Sequence, residues 1–264
     1  MTLDPVTITS IAAVGLCAGL LGGLLGIGGS VVMIPAMAII FGSGNPEAQH
    51  LYQAAAMAVN VAVSAPAAAE HLRRGALHSR LFLYVLISAL VAIVAGVLVS
   101  DQMDGLTLRR VFAVFLLYTA GVTVAKLVRR TPEERDEHAT VTPLRGGTVG
   151  GVMGFAAGLL GIGGGVLAVP LAHALCRLPL RRCIAVSSAA MCLTATVGAT
   201  IKLSTLHTHG SSAWAGLGIA MTLAPTAVLG GSLGARLTHT LPIRTVRAVF
   251  VALLLLAAWR MASI

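Results

Sequence analysis

Two glycine-rich stretches of nearly identical sequence decide the fold: GLLGIGGS at residues 23–30 and GLLGIGGG at residues 158–165. They stand 135 positions apart in the chain. The same offset relates Arg109 to Arg244 near the ends of the two halves. A match that keeps one offset along the chain indicates an internal repeat of two halves.

Each glycine-rich stretch lies inside a long segment without Asp, Glu, Lys or Arg. The first of these segments has 42 residues, between Asp4 and Glu47. As one helix it would be about 63 Å long, roughly twice the hydrocarbon thickness of a bilayer. The glycine run and Pro35 both disfavour a continuous helix. We therefore predict two helices, 7–25 and 30–41, joined as a hairpin at a glycine tip.

The composition is that of a membrane protein. Of the 264 residues, 57% are hydrophobic and 10% are charged, and the mean hydropathy is +0.92. An average soluble domain carries about 25% charged residues. These values exclude a soluble enzyme, a nucleic-acid-binding domain and a disordered chain. They predict an all-α polytopic membrane protein, with the lipid bilayer and not nucleic acid as its partner.

The repeat also predicts the domain organisation. The first half is residues 1–128, a charged cytoplasmic linker is 129–143, and the second half is 144–264. Within the halves we predict a hairpin at 7–41 and helices at 51–72, 81–100 and 108–127, then a hairpin at 144–176 and helices at 183–202, 212–235 and 242–260.

The basic residues favour inverted repeats over parallel ones. If each glycine-rich segment crossed the membrane once, the Lys and Arg residues would be split ten to eight between the two sides. If each segment is a hairpin that returns to its own side, fourteen of the eighteen lie on one side, and only Arg109, Arg110, Lys202 and Arg260 lie on the other. Basic residues collect in cytoplasmic loops. We therefore predict two inverted repeats, each a glycine-tipped broken-helix hairpin plus three transmembrane helices.

The tips are candidate anion sites. A glycine run that opens a helix presents unpaired N–H groups and the positive end of a helix dipole. Irregular backbone at membrane depth must be buried or line a cavity, so a purely structural tip is the alternative. The candidate substrate-binding residues of the two tips are Gly26, Ile27, Gly28, Gly29, Ser30, Val31, Gly161, Ile162, Gly163, Gly164, Gly165 and Val166.

Polar residues inside the other helices are candidates for further contacts. Asn60 and Ser64 lie four apart on one helix, and Ser187 and Ser188 take the matching place in the second half. They act either as substrate contacts or only as helix–helix hydrogen bonds. His173 is the candidate for a titrating group. Lys202 is either a counter-ion for an anion or a cation anchored at a helix end.

Residues that suggest catalysis or a cofactor are not evident. No His, Cys, Asp or Glu cluster has metal-ligand spacing along the sequence, and no Ser/His/Asp set is apparent. We expect no metal, no cofactor and no enzymatic activity. The four cysteines are interpreted as small apolar residues.

The paired motifs, each followed by a proline and each opening a half of about 130 residues, resemble those of the TauE/SafE family of sulfite exporters. The resemblance extends over nearly the whole chain. It implies a plasma-membrane transporter that exports sulfite, sulfoacetate or a related sulfur-containing or organic anion. Ser30 stands where the motif has a third glycine, which implies a stiffer first tip.

The leading functional hypothesis is a secondary transporter for a small anion that works by alternating access, since no nucleotide-binding motif is present. A passive anion channel and, with less support, a cofactor-free membrane enzyme or redox subunit are the alternatives. The coupling ion, the direction of transport and the oligomeric state stay open, with a homodimer as one candidate.

Overall fold

Helices make up the part of the chain that the computed structural model describes, which is residues 5–25, 28–41, 45–128, 139–237 and 243–262. No strand occurs in these residues, and the predicted all-α class is confirmed. In chain order the helices are α1 (Pro5–Leu25), α2 (Ser30–Ile40), α3 (Ala48–Arg73), α4 (Ser79–Asp101), α5 (Gly105–Val128), α6 (Pro143–Leu160), α7 (Gly165–Cys176), α8 (Leu180–Thr205), a 3₁₀ turn (Leu206–His209), α9 (Ala213–Leu237) and α10 (Ile243–Ala262).

Five of these helices are long and apolar enough to cross a bilayer, counted over the described residues. The qualifying segments are Ala48–Arg73, Ser79–Asp101, Gly105–Ala125, Leu180–His209 and Ala213–Gly234. Large apolar side chains cover the outside, as on α4, where Leu83, Ile87 and Val91 form an exposed stripe at four-residue spacing. An apolar exterior of this kind is stable in lipid and not in water. The protein is a multi-pass membrane protein.

The glycine runs break the helices, and the prolines do not. Between α6 and α7, Gly161 and Gly164 have φ values of +71° and +69°, which residues other than glycine rarely adopt. Pro35 and Pro170 each stand at the sixth residue of the following helix, α2 or α7, and lie inside it. The run of glycines alone therefore sets the position of each break.

The second broken helix returns to the side from which it came. The Thr140 N–H, just before α6, donates a hydrogen bond to the Cys176 carbonyl at the end of α7, at 3.2 Å. The Arg145 guanidinium donates to the Leu175 carbonyl at 3.0 Å. The two ends of the segment are thus joined, and α6 and α7 form a hairpin with its tip at residues 161–164.

Small residues let α6 lie directly against the backbone of α4. Gly150, Gly154 and Gly158 leave no room for a Cβ, because the carbonyls of Val85, Ala89 and Ile93 occupy that space. Residue numbers rise together along the contact, so the two helices run in the same direction. α1 of the first half packs on α9 of the second half in the same manner, with Gly15 and Gly19 against Leu223 and Ala227. Glycine at every fourth position permits such close helix packing in lipid.

The centre of the molecule is the crossing of α3 and α8. His50 contacts Lys202 at one end of this contact, and Met57 packs on Gly198 further along. Residue numbers rise along α3 as they fall along α8, so the two helices run in opposite directions. The helix contacts follow the repeat. The contact of α1 with α9 corresponds to the contact of α6 with α4. α5 packs on α10, which is its counterpart in the second half.

Candidate functional site

The two glycine tips meet in the interior of the protein. The Gly163 N–H of the second tip donates a hydrogen bond to the Ser30 hydroxyl, which begins α2 in the first half, at 3.2 Å. Both groups are buried, and 133 positions separate them in the chain. The second tip has Gly165 where the first has Ser30, so it offers no hydroxyl for the equivalent bond in return. The first tip therefore supplies a side chain and the second supplies backbone.

Asn60 lies between the tips. A Cβ added at Gly28 would come within 3.7 Å of the Asn60 side-chain oxygen, and one added at Gly163 within 3.3 Å of its nitrogen. Met191 of α8 is in contact with the same two glycines. The Asn60 amide is completely buried, and neither of its polar atoms has a hydrogen-bond partner among the described residues. A buried amide without a partner costs about 1–3 kcal/mol, so this side chain is placed at the expense of stability.

The start of α7, directly after Gly163, adds unpaired donors. The N–H groups of Leu167 and Ala168 bond to the Gly164 carbonyl. Within the described part of the chain, the N–H groups of Gly164, Gly165 and Val166 have no acceptor. They lie at the positive end of the α7 dipole. An oxyanion has the charge and the acceptor oxygens that such donors require.

The remaining residues that the sequence analysis predicted as substrate contacts are mostly buried. Ser187 and Ser188 of α8 are buried, as are Gly29, Ile162 and Val166 beside the tips. Ser64 is buried as well, but its hydroxyl donates to the Val61 carbonyl of its own helix at 3.4 Å. Val31 packs into the main apolar core. Gly26 and Ile27 lie outside the described residues.

Lys202 is buried instead of anchored at a water-exposed helix end. Its side chain is 1% exposed, and its ammonium donates to Asp101 at 2.7 Å, to Ser100 at 2.9 Å and to the His50 ring at 2.9 Å. The three ammonium hydrogens thus have three acceptors. Asp101 also supplies the opposite charge, so Lys202 has no charge left over for a substrate anion.

His173 lies away from the tips. It is nine residues beyond Gly164, which corresponds to about 13 Å along a helix. Its ring bonds to the Leu178 carbonyl at 2.8 Å and so links the end of α7 to the turn before α8. The geometry gives it a structural contact and no contact with the tip.

Folding also assembles a cluster of ionisable residues that the sequence spacing did not indicate. One side-chain oxygen or nitrogen atom from each of Glu47, His50 and His209 lies within 4.8 Å of the others. The two imidazole rings are stacked, with 3.5 Å between their centroids. Burial would raise the pKa of the Glu47 carboxyl. The hydrogen bonds from the Gly105 N–H and from His209 outweigh burial and hold that pKa below its usual value. His209 lies 162 positions from Glu47 in the chain, so no local motif could have revealed the cluster.

Arg109 is a second residue whose role the sequence pattern does not reveal. Its charge suggests a place at the outer membrane surface, yet it lies in α5 and is 1% exposed. None of its three guanidinium nitrogens has a hydrogen-bond partner among the described residues. Within that part of the chain, Tyr52 of α3 is the ionisable group that interacts with it. A guanidinium carries five N–H donors and stays charged, so this position is one that attracts an anion or water.

Comparison with known proteins finds one family and several relatives that match most of the chain. The family described as Sulfite exporter TauE/SafE matches residues 11–261. The probable membrane transporter protein MamO of Magnetospirillum gryphiswaldense is 25% identical over 96% of this chain, and its counterpart in Paramagnetospirillum magneticum is also 25% identical. The chain spans only 44% of the length of these two relatives. No solved structure matches it.

A shorter relative matches along most of its length. A probable membrane transporter protein of Methanocaldococcus jannaschii is 26% identical over 91% of this chain and 90% of its own length. A bundle of apolar helices around two broken-helix tips defines a multi-pass membrane protein. The chain belongs to the sulfite exporter TauE/SafE family.

Proposed function

We propose that the protein is a secondary transporter that exports a small oxyanion, such as sulfite or sulfoacetate, by alternating access at a site between the two glycine tips. One observation carries the proposal: the tips meet beside Asn60, whose buried amide has no partner among the described residues. A buried polar group of this kind is placed for a ligand, because packing alone would favour an apolar side chain there.

The chemistry of the site favours an oxyanion over a cation. Its unpaired groups are the N–H donors of Gly164, Gly165 and Val166 and the Asn60 amide, and no carboxylate contacts them in the described residues. Arg109 of α5 is also buried without a hydrogen-bond partner in the described residues, and its charge makes the interior of the protein more positive. Neutral dipoles bind an anion without a permanently buried charge pair, which favours release. We therefore expect weak affinity and modest discrimination among oxyanions of similar size.

The helix directions support the inverted-repeat arrangement that alternating access requires. Inverted repeats place α3 and α8, which are counterparts, in opposite directions, and parallel repeats would place them in the same direction. The contacts of His50 with Lys202 and of Met57 with Gly198 fit the first arrangement. The return of α7 to the start of α6 fits it too. Inverted-repeat transporters hold their substrate near the membrane midplane, between broken helices.

Counterflow in proteoliposomes tests the proposal. Vesicles are loaded with unlabelled sulfite, sulfate or sulfoacetate, and the same anion is added outside in labelled form. A transporter of that anion should take up the label transiently and saturably. A channel would pass current without counterflow. Asn60→Leu should lower the exchange rate roughly 10- to 100-fold, the effect of losing one hydrogen bond to a charged ligand. Its melting temperature should stay level or rise, because an unpaired buried amide is removed.

Thr194→Val is the matched control for Asn60→Leu. Thr194 is equally buried, but its hydroxyl bonds within its own helix, to the Ala190 carbonyl at 3.0 Å. We expect this variant to exchange anions at the wild-type rate. Equal exchange by wild type and Asn60→Leu would contradict a site between the tips.

A further inference from the structure

A chain of hydrogen bonds links the second glycine tip to the ionisable cluster at the far end of α8. The Gln53 side-chain nitrogen donates to the Leu159 carbonyl, two residues before Gly161, at 3.3 Å. The Gln53 oxygen accepts from Ser100 at 3.3 Å, and Ser100 accepts from Lys202 at 2.9 Å. Gln53 also packs directly against Gly161. Three hydrogen bonds thus connect the Lys202 ammonium to the residues just before the tip.

The protonation state of His50 follows from its neighbours. The Lys202 ammonium lies 2.9 Å from His50 Nδ1, so this nitrogen accepts a hydrogen bond. The other ring nitrogen, Nε2, lies 3.1 Å from the Met103 carbonyl, so it carries the hydrogen and donates. His50 is thus a neutral imidazole with both nitrogens engaged. It has no lone pair left for a metal ion, which argues against a metal centre of Glu47, His50 and His209.

His209 has a free position in the cluster. Its Nδ1 lies 3.1 Å from a Glu47 oxygen and donates to it. Its Nε2 is buried, has no hydrogen-bond partner among the described residues and lies 3.9 Å from Asp101 Oδ1. The second Asp101 oxygen, Oδ2, is likewise buried without a described partner. A proton on Nε2 would supply the donor that this carboxylate can accept.

The charges around His209 set up a competition for Asp101. Glu47, from the segment before α3, and Asp101, at the end of α4, favour a positive imidazole, whereas Lys202 of α8 and the stacked ring of His50 oppose it. Outside this group, Asp104 accepts from the Thr107 N–H, and His207 is exposed on the same 3₁₀ turn. A protonated His209 would attract the same Asp101 oxygen that Lys202 holds at 2.7 Å. Loosening that ion pair changes the hydrogen-bond chain to the tip.

We propose that His209 is the binding site of the coupling ion, that this ion is a proton, and that Asp101, Lys202, Ser100 and Gln53 transmit its binding to the second tip. The inference rests on the proposed anion transport and names its energy source. His209 exchanges one proton at Nε2 with water, and no other covalent bond is made or broken. Its protonation favours one position of the tip over the other, which is how a bound ion shifts a two-state equilibrium.

Two measurements separate proton coupling from transport itself. The first is counterflow of labelled sulfite, sulfate or sulfoacetate at equal pH on both sides, and the second is accumulation of the exchanged anion driven by a pH gradient alone. Wild type should show both. His209→Gln should keep counterflow within about twofold of wild type and lose gradient-driven accumulation. His207→Gln, the matched control on the same turn, should keep both.

A second variant tests the connection to the tip. Gln53→Leu keeps the side-chain volume close to that of Gln53 and removes the bonds to Leu159 and Ser100. It should also keep counterflow and lose accumulation driven by the pH gradient. The proposal would be overturned if His209→Gln accumulated the anion at the wild-type level under a pH gradient. It would also be overturned if wild type itself did not accumulate the anion.

A measurement without substrate tests the proton site even if neither sulfite, sulfate nor sulfoacetate is transported. Ring ¹⁵N signals of histidine in nanodisc-embedded protein, recorded at several values from about pH 5 to pH 8, should show Nε2 of His209 in both its bare and its protonated form. The signal is assigned by its loss in His209→Gln. A single form of Nε2 in all spectra would overturn the proton site. Stoichiometric zinc in the purified protein, lost in His209→Gln, would overturn it in favour of a metal.

Discussion

At the scale of single residues, the buried polar groups without partners mark the places where folding alone does not explain the sequence. Asn60 and Arg109 both lie in the interior. No polar side-chain atom of either residue has a hydrogen-bond partner among the described residues. Lys202 is equally buried but is fully paired. A buried charge or amide is tolerated when partners satisfy it and is costly when they do not. We therefore propose ligand roles for the first two residues, whereas the partners of Lys202 are all supplied by the protein.

Arg109→Met should raise thermal stability and impair transport. Methionine removes a desolvated guanidinium that no described group satisfies, and replacing buried charges with apolar residues is often stabilising by about 1–4 kcal/mol. In a chain of this size 1 kcal/mol corresponds to roughly 2–4 °C in melting temperature. Anion counterflow should fall because the positive potential near α3 is lost. Differential scanning fluorimetry and the flux assay measure the two effects.

The neighbouring Arg110 provides the control for Arg109, since it lies in the same helix and is exposed. Arg110→Met should leave both melting temperature and counterflow close to wild type. If Arg109→Met melts several degrees lower and transports normally, the guanidinium has a structural partner and no role toward anions.

At the scale of secondary structure, glycines act in two distinct ways. Some adopt positive φ, as Gly28 does at +79°. Others, such as Gly150, permit two helices to touch. The first kind shapes the tips, and the second kind assembles the bundle.

Gly28→Ala should impair transport more than it impairs folding. An alanine at positive φ costs about 1–2 kcal/mol of strain, and its methyl group would contact Met191 at 3.5 Å and Asn60 at 3.7 Å. Gly75→Ala is the matched control, because Gly75 has φ of +64° in the turn after α3 and nothing within 4 Å. The two variants should lose similar stability. Only Gly28→Ala should slow counterflow, and equal rates in the two variants would show that the tip is not a site.

Gly150→Ala should instead disrupt folding. Its Cβ would overlap the Val85 carbonyl, and backbone cannot move aside without separating α6 from α4. Overpacking of this kind costs typically about 1–3 kcal/mol. The adjacent Gly151 has nothing within 4 Å, so Gly151→Ala should be neutral or stabilising by up to about 1 kcal/mol. Chemical or thermal unfolding in detergent compares the pair, and equal melting temperatures would contradict the packing role.

At the scale of the whole molecule, the proposed inverted arrangement predicts which loops face each side of the membrane. In a cysteine-free background, an impermeant thiol reagent applied from outside should label Gln102→Cys. It should not label Gly75→Cys or Arg177→Cys. All three positions are exposed on the protein surface, so failure to react reports the membrane and not burial. Labelling of Arg177→Cys without labelling of Gln102→Cys would contradict this topology.

Much of the architecture could be predicted from the sequence because it depends on local chemistry. Helix length, apolar composition and glycine runs are properties of contiguous residues, and a bilayer admits few alternatives to a helix. The beginning of α2 at Ser30, after the non-helical Gly28 and Gly29, was therefore predictable. The similarity of the two tips was predictable too, because the offset of 135 positions is a property of the sequence alone.

Only the tertiary structure decided which polar groups have partners. The ion pair of Lys202 with Asp101 and the contact of His50 with His209 join residues more than 100 positions apart, and the charge of Arg109 favours water until the packing of α5 buries it. Burial and pairing are properties of packed helices, and the sequence pattern of one helix does not contain them. The sequence by itself thus determined a helical membrane protein with two glycine tips, whereas long-range packing decided that the tips meet at Asn60 and that a cluster of ionisable residues is connected to them.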